Sequence, residues 1–208
     1  MKPLILVGGG GHCLSVIDAA ESAGLVIAGI LDMPAKVGST LAGYKVVGTD
    51  ADIPRLAAGH SFIITIGDVG RSSALRTTLA ELIADSGGSF ATIVASTARI
   101  SPHATVGEGS VVLHGACINA GAIVGRHCIV NTLACVDHEA QVGSFSHIST
   151  GAMINGQARV GERCMVGSNA PVAQCVNIVG DTILGASSLA LHHITTPGTY
   201  VGVPAKRL

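Results

Sequence analysis

The residues with the clearest potential for acid–base chemistry lie in the segment CVDHEAQVG, residues 135 to 143. Here Asp137, His138 and Glu139 place an imidazole between two carboxylates. An imidazole can accept a proton at neutral pH, and a neighbouring carboxylate can fix its tautomer and stabilise the imidazolium that forms. The chain has nine histidines, and a lone surface histidine is usually only a solvated residue. The pattern around His138 therefore has to decide between the two interpretations.

A second group of candidate residues is the glycine-rich segment GGGGH. Gly8 to Gly11 and His12 follow the apolar run LILV, which is typical of a strand buried on both faces of a parallel sheet. Backbone N–H groups in such a turn can approach a phosphate, and Asp32, at the end of the second strand, lies where dinucleotide folds hold a ribose. Because Cys13 takes the third glycine position of GxGxxG, a tight turn that merely needs glycine is an alternative.

Residues 1 to 92 alternate apolar runs with helical patterns, which predicts a small, doubly wound, Rossmann-like α/β unit. We expect four strands, at 4–8, at 25–31, from Phe62 and from Phe90, and helices ending near Gly24 and spanning 50–58 and 72–84. Four strands without a second mononucleotide-binding half give little support to NAD binding.

From Val94 onward the chain follows a six-residue repeat. An aliphatic residue recurs at every sixth position as far as Leu184, and a small or compact residue follows it four positions later. One large and one small inward residue per hexad fit a narrow triangular prism with faces of short parallel strands. Residues eighteen apart then stack about 4.8 Å from each other. This frame places His138 at an exposed corner below Gly156, with room for a ligand.

The composition limits the partners. The hydrophobic fraction is 48% but the aromatic fraction only 2%, so the core must consist of Val, Ile, Leu and Ala. The net charge of −1 and the lack of a Lys/Arg run argue against nucleic acid and membrane partners. Without a leader pattern or an apolar stretch of about 18 residues, we expect a cytoplasmic protein with reduced cysteines and a small-molecule partner.

Two rival chemistries are open at the prism. Cys135, three residues before His138, could form an acyl-enzyme, although no base is evidently placed for it and Cys117, one coil away, is a similar neighbour that favours packing. His138 and His147 lie on different faces in the hexad frame. Because no Cys/His cluster has ligand spacing, we expect no metal.

The hexad pattern resembles that of the hexapeptide-repeat acyltransferases, which implies a left-handed parallel β-helix; parallel crossovers are otherwise usually right-handed. The opening GGGGH, the segment VNTLACVDHEAQVGSFSHIS and the tail GTYVGVPAKRL are together similar to the bacterial sugar acetyltransferases grouped with sialic acid O-acetyltransferase. Within that group the chain is especially similar to N-acetyltransferases of nucleotide-linked 4-amino-4,6-dideoxy sugars. We assign residues 1–92 to a nucleotide-sugar-binding domain, 93–190 to the β-helix and 191–208 to a capping tail.

The resemblance also implies roles for individual residues. His138 would be the general base, Glu139 its orienting carboxylate, and Asn131 a residue lining the same site. Acetyl-CoA would contact His147, Gly156, Ser168, Gly185, Ala186, Lys206 and Arg207. The nucleotide part of the acceptor would contact Gly8, Gly9, Gly10, Gly11, His12, Asp32 and Asp68. The chain departs from the family at two places. It has Cys13 where the family often has glycine, and it has Ala186 and Ser187 in a region where the family has glycines.

The implied reaction is direct transfer of the acetyl group from acetyl-CoA to the amino group of the nucleotide-linked sugar. The amine would attack the thioester while His138 accepts its proton and a backbone N–H supports the oxyanion. Family prisms associate as trimers with the cofactor between them, so we expect a homotrimer serving a polysaccharide or glycan pathway. Two alternatives stay open: O-acetylation of sialic acid or a related sugar, and a non-catalytic solenoid that binds sugar nucleotides.

Overall fold

A computed structural model describes residues 2–67 and 73–208 of the chain. The chain divides into two compact units, Met1–Ser96 and Thr97–Leu208. In the described residues, no helix is long and apolar enough to cross a membrane. The finer assignment of residues 93–190 to a β-helix and 191–208 to a tail stays a prediction.

The first unit is an α/β unit around a six-stranded sheet. The strands of this sheet are β1 (Leu4–Val7), β2 (Ile27–Leu31), β3 (Thr40–Leu41), β4 (Tyr44–Gly48), β5 (Ser61–Ile64) and β6 (Ser89–Phe90). A further strand, β7 (Ile93–Val94), is not part of this sheet. Its helices are α1 (Gly11–Ser22), α2 (Ile53–Leu56) and α3 (Ser73–Asp85). The strand order is β3-β4-β2-β1-β5-β6, and only the β3–β4 pair is antiparallel. The apolar β1 is completely buried near the centre of this sheet.

The predicted count of four strands for this unit was wrong, because the hairpin of β3 and β4 gave no turn signal. Ala42 and Gly43 both have positive φ, 46° and 86°, which is the geometry of a two-residue turn normally marked by Asn-Gly or Asp-Gly. The predicted helix at 50–58 is a 3₁₀ turn, Asp50–Asp52, followed by the single turn of α2. Gly24 was correctly predicted to end α1; its φ of 70° lets its N–H bond back to Glu21.

The second unit is a left-handed parallel β-helix with three faces. The first face contains β10 (Val111–Val112), β13 (Ile129–Val130), β16 (His147–Ile148), β19 (Met165–Val166) and β22 (Thr182–Leu184). The second contains β8 (Arg99–Ile100), β11 (Cys117–Ile118), β14 (Cys135–Val136), β17 (Met153–Ile154) and β20 (Pro171–Val172). The third contains β9 (Thr105–Val106), β12 (Ile123–Val124), β15 (Gln141–Val142), β18 (Arg159–Val160) and β21 (Asn177–Ile178). The tail adds β23 (Gly198–Val201) beside β22, and β24 (Lys206–Arg207) antiparallel to β23.

The interior of the β-helix has the predicted two residues per hexad. Every sixth aliphatic residue from Val112 to Leu184 is buried, and so is the small or compact residue four positions later, from Ala116 to Ser188. Strands pair in register with the strands eighteen residues away, as Cys117 does with Cys135. The hexad repeat therefore sets which residues stack in neighbouring coils.

The corners of the prism have one backbone conformation. We number them by the strands they follow: corner 1 follows the first face, corner 2 the second and corner 3 the third. Every sixth residue from Gly109 to Ser187 has a positive φ, which costs most side chains roughly 1–2 kcal/mol. At corner 2 the N–H groups of Glu139 and Gln157 donate to the carbonyls of Ala120 and His138 in the preceding coil, both at 3.0 Å. These bonds hold non-glycine residues in the left-handed conformation.

The two residues of β17 provide a test of this interior. Ile154 is completely buried, whereas Met153, its neighbour, is 44% exposed. We expect Ile154→Ala to lower the free energy of unfolding by about 2–5 kcal/mol and Met153→Ala to change it by less than about 1 kcal/mol, measured by urea denaturation. Equal losses for the two variants would contradict the inward orientation.

Candidate active site

His138 and Glu139 lie at corner 2, held by contacts along their column. The His138 backbone N–H donates to Asp137 Oδ1 at 2.7 Å, and Asn119 Nδ2 donates to the same oxygen at 3.0 Å. His138 Nδ1 lies 3.6 Å from Glu139 Oε2, and their side chains are 52% and 62% exposed. Among the described residues none bonds to His138 Nε2, so this nitrogen can face a reactant. The pair therefore has the arrangement of an oriented base.

The imidazole of His138 lies against Gly156 in the next coil. A Cβ placed on Gly156 would lie 2.5 Å from both Cε1 and Nε2 of the ring. Glycine is thus required here by the histidine, and not by a positive φ. The sequence predicted room for a ligand beside His138; on the Gly156 side the ring itself fills this room because it leans toward the next coil.

Asn131, at the start of corner 1, forms a separate pair with His147 of β16, in the next coil of the first face. Asn131 Oδ1 accepts the Thr132 backbone N–H at 2.7 Å, which leaves its amide nitrogen to donate to Nε2 of the buried His147 at 3.1 Å. This bond makes Nε2 an acceptor and puts the ring proton on Nδ1. Within one chain the predicted site residues therefore form two groups. Asn131 pairs with His147, whereas His138 pairs with Glu139 at the next corner.

Most of the other residues predicted to contact acetyl-CoA lie near corner 1 or the tail. Ser168 is exposed at corner 1, and Ala186 occupies the same position one coil later. Gly185 lies under the tail, since a Cβ there would be 2.9 Å from Val201 Cγ1. Lys206 and Arg207 are exposed in β24, where Arg207 Nη2 donates to a tail carbonyl at 3.0 Å. Gly156 alone of the set belongs to corner 2.

The glycine-rich segment lines a cleft of about 570 Å³ in the α/β unit, at the carboxyl ends of β1 and β2. The lining includes Gly8, Gly9, Gly10, Gly11, His12, Asp32, Lys36, Asp50 and Thr65. Lys36, Asp50 and Thr65 were not among the predicted residues; only Lys36 had a usable signal, four residues after Asp32. Asp68 lies outside the described residues.

The charges in this cleft are coupled. Lys36 Nζ lies 2.7 Å from Asp32 Oδ2 and also donates to the Gly9 carbonyl at 3.3 Å. Burial opposes ionisation of Asp32, but the Lys36 ammonium and the Met33 N–H outweigh it and lower the pKa of this carboxyl. Partial burial, and then the Asp32 charge, raise the pKa of Asp50. Asp32 therefore serves as a fixed anion that holds the Lys36 ammonium beside the glycine-rich turn.

The cysteines contribute little to a nucleophilic mechanism. Cys13 is completely buried, and burial raises the pKa of its thiol to about 11. Its departure from the family's glycine is therefore a packing feature. Burial, with Cys117 and Asp137 nearby, also raises the pKa of Cys135, the opposite of an activated thiolate. No group of three His, Cys, Asp or Glu side chains in the described ranges could hold a metal ion.

Comparisons with known proteins match both units. A model of the PglD N-terminal domain matches residues 3–79. The acetyltransferase domain of PglB from Neisseria gonorrhoeae is 29% identical, with a TM-score of 0.93 over 100% of both chains, and another structure of it contains acetyl coenzyme A. PerB from Caulobacter crescentus, in complex with CoA and GDP-perosamine, is 33% identical, with a TM-score of 0.92 over 100% of this chain and 98% of that chain.

The fold alone is shared with WeeI from Acinetobacter baumannii, which is 21% identical with a TM-score of 0.89 over 100% of both chains. An α/β unit followed by a left-handed β-helix is thus the architecture of a class of sugar acetyltransferases. The chain belongs to the PglD-type sugar N-acetyltransferases, enzymes that use acetyl-CoA.

The contact between His138 and Gly156 can be tested by adding one methyl group. Gly156→Ala would push the imidazole out of place, and because a displacement of about 1 Å can cost about a hundredfold in rate, we expect kcat/KM to fall by about ten- to a hundredfold. The free energy of unfolding should change by less than about 1 kcal/mol, since only the end of a side chain moves. In a His138→Ala background, Gly156→Ala should cause no further loss of kcat, because the ring that it displaces is absent. Full activity of the single variant would contradict the assigned contact.

Proposed function

We propose that the protein transfers the acetyl group of acetyl-CoA to the amino group of a nucleotide-activated 4-amino-4,6-dideoxy sugar. The observation that carries this proposal is the His138–Glu139 pair, with Nδ1 facing a carboxylate and Nε2 open to a reactant. The relatives support the substrate class, because PerB was crystallised with CoA and GDP-perosamine.

In the proposed mechanism the sugar amine attacks the thioester carbonyl carbon and a C–N bond forms. His138 Nε2 takes a proton from the nitrogen, and Glu139, 3.6 Å from Nδ1, stabilises the imidazolium. The tetrahedral intermediate then expels the CoA thiolate, which receives the proton from His138. The products are the acetamido sugar and CoA, and the reaction needs no covalent enzyme intermediate.

We place the nucleotide of the acceptor in the cleft of the α/β unit. Gly8 to Gly10 lead directly into α1, which begins at Gly11, and the N-cap residue Gly10 has no side chain to cap the first N–H groups. Backbone N–H groups at a helix start favour phosphate, and the Lys36 ammonium adds a positive charge beside them. The ion pair with Asp32 would thus hold the Lys36 ammonium where it can contact the diphosphate. We place the protein in the cytoplasm.

We further propose a homotrimer in which the catalytic site is shared. One chain has its candidate base at corner 2 and the Asn131–His147 pair beside corner 1. A second copy could bring its corner 1 beside the corner 2 of the first. The family resemblance, with cofactor bound between adjacent prisms, supports this arrangement.

The proposed reaction is tested by thiol release from acetyl-CoA with UDP-, GDP- and dTDP-linked 4-amino sugars and with free sialic acid. We expect release with one nucleotide-linked amino sugar, and a loss of at least about a hundredfold in kcat/KM in His138→Ala, the lower range for a general base. Release with sialic acid alone would replace the proposal with O-acetylation. If no acceptor causes thiol release, a binding protein would be favoured. If the His138→Ala variant is active, His138 is not the general base.

The oligomeric state is tested by light scattering combined with the same assay. We expect the mass of three chains of 20.8 kDa, and we expect activity only in that species because each site needs two chains. An active monomer would contradict the shared site.

A further inference from the structure

Corner 2 has a column of polar side chains above the catalytic pair. Glu139, Gln157 and Cys175 follow one another at eighteen-residue spacing, with φ values of 56°, 59° and 60°. Because they have the same backbone conformation in successive coils, their side chains leave the prism in the same direction. Neither Gln157 nor Cys175 was singled out by the sequence.

The three side chains are joined by hydrogen bonds. Gln157 Nε2 donates to Glu139 Oε2 at 3.0 Å, and the Cys175 thiol donates to Gln157 Oε1 at 3.3 Å. A carboxylate can only accept, so the amide must turn its NH₂ group toward Glu139 and its oxygen toward the thiol. The oxygen that receives the amide is also the one that lies 3.6 Å from His138 Nδ1.

Gln157 contacts both members of the catalytic pair. Its backbone N–H donates to the His138 carbonyl at 3.0 Å, and its side chain holds the Glu139 carboxylate. Glu139 is 62% exposed, and among the described residues Gln157 is the one side chain that donates a hydrogen bond to its carboxylate. Without the amide, the carboxylate would sample other rotamers in water.

We propose that Gln157 is a positioning residue for catalysis, which keeps the Glu139 carboxylate directed at His138 Nδ1. This inference rests on the proposed role of His138 as the general base. Gln157 touches no reacting atom; it acts by keeping the carboxylate in place as the imidazolium forms, and so it should affect the transition state more than the binding of either substrate.

The test is Gln157→Asn. Asparagine tolerates positive φ and keeps the amide, but it is one methylene shorter and cannot reach Glu139. We expect kcat to fall about tenfold, the kinetic equivalent of one hydrogen bond to a charged group, while KM for acetyl-CoA and for the sugar nucleotide stays within about twofold. A rise in KM with unchanged kcat would overturn the inference.

A matched control lies at corner 3. Arg163 also has a positive φ, 53°, and its side chain also bonds a carboxylate eighteen residues away, that of Asp181, at 2.7 and 2.8 Å. Arg163→Asn removes an inter-coil contact to a carboxylate, here a two-bond ion pair, without touching corner 2. We expect its kcat to equal that of the unsubstituted protein. An equal loss of kcat in both variants would show that coil stability, and not positioning, is responsible.

A double-substitution cycle completes the test. In a Glu139→Ala background, Gln157→Asn should cause no further loss of kcat, because the carboxylate it positions is absent. A further tenfold loss there would overturn the inference. An inactive protein, or an active His138→Ala, would instead refute the proposed function; an active protein that loses activity in His138→Ala but not in Gln157→Asn would refute this inference alone.

Discussion

The hydrogen bond between successive coils at each corner is the constraint on which the β-helix depends. It lets residues such as Leu133 and Glu139, which would otherwise avoid positive φ, turn the chain after each two-residue strand. Because the bond recurs every six residues, each coil takes eighteen, and side chains find their neighbours eighteen positions away. Side-chain contacts at this spacing run along the corners: Asn119 bonds Asp137, Gln157 bonds Glu139, Cys175 bonds Gln157, and Arg163 pairs with Asp181.

This constraint explains how an exposed histidine can have a defined orientation. The ring of His138 packs on the backbone of Gly156, and its own N–H is held by Asp137, which Asn119 fixes from the coil before. Each of these partners belongs to the rigid corner and not to a loop. Rigid elements position functional groups more accurately than loops do, and here the prism performs that task without enclosing the residue.

The two units differ in how much of them could be predicted. The β-helix was predictable because its inward residues recur with one period over most of its length. In the α/β unit the strands with continuous apolar runs were found, but the hairpin of β3 and β4 was missed because Ala42 occupies a position where Asn or Asp would have signalled a turn. In its cleft Gly8 to Gly11 and Asp32 were expected, whereas Lys36 was recognised only through its contacts.

The sequence by itself determined the prism, its eighteen-residue coil and the corner location of His138, because inward packing and backbone pairing repeat regardless of the outward side chains. Only the tertiary structure decided which outward groups meet. Some outward side chains extend along the prism axis toward a neighbouring coil, so that His138 packs on Gly156 and Gln157 bonds Glu139. Asn131 reaches His147 in the same way, away from corner 2. Such contacts depend on rotamers and on residues distant in the chain, which no local pattern records.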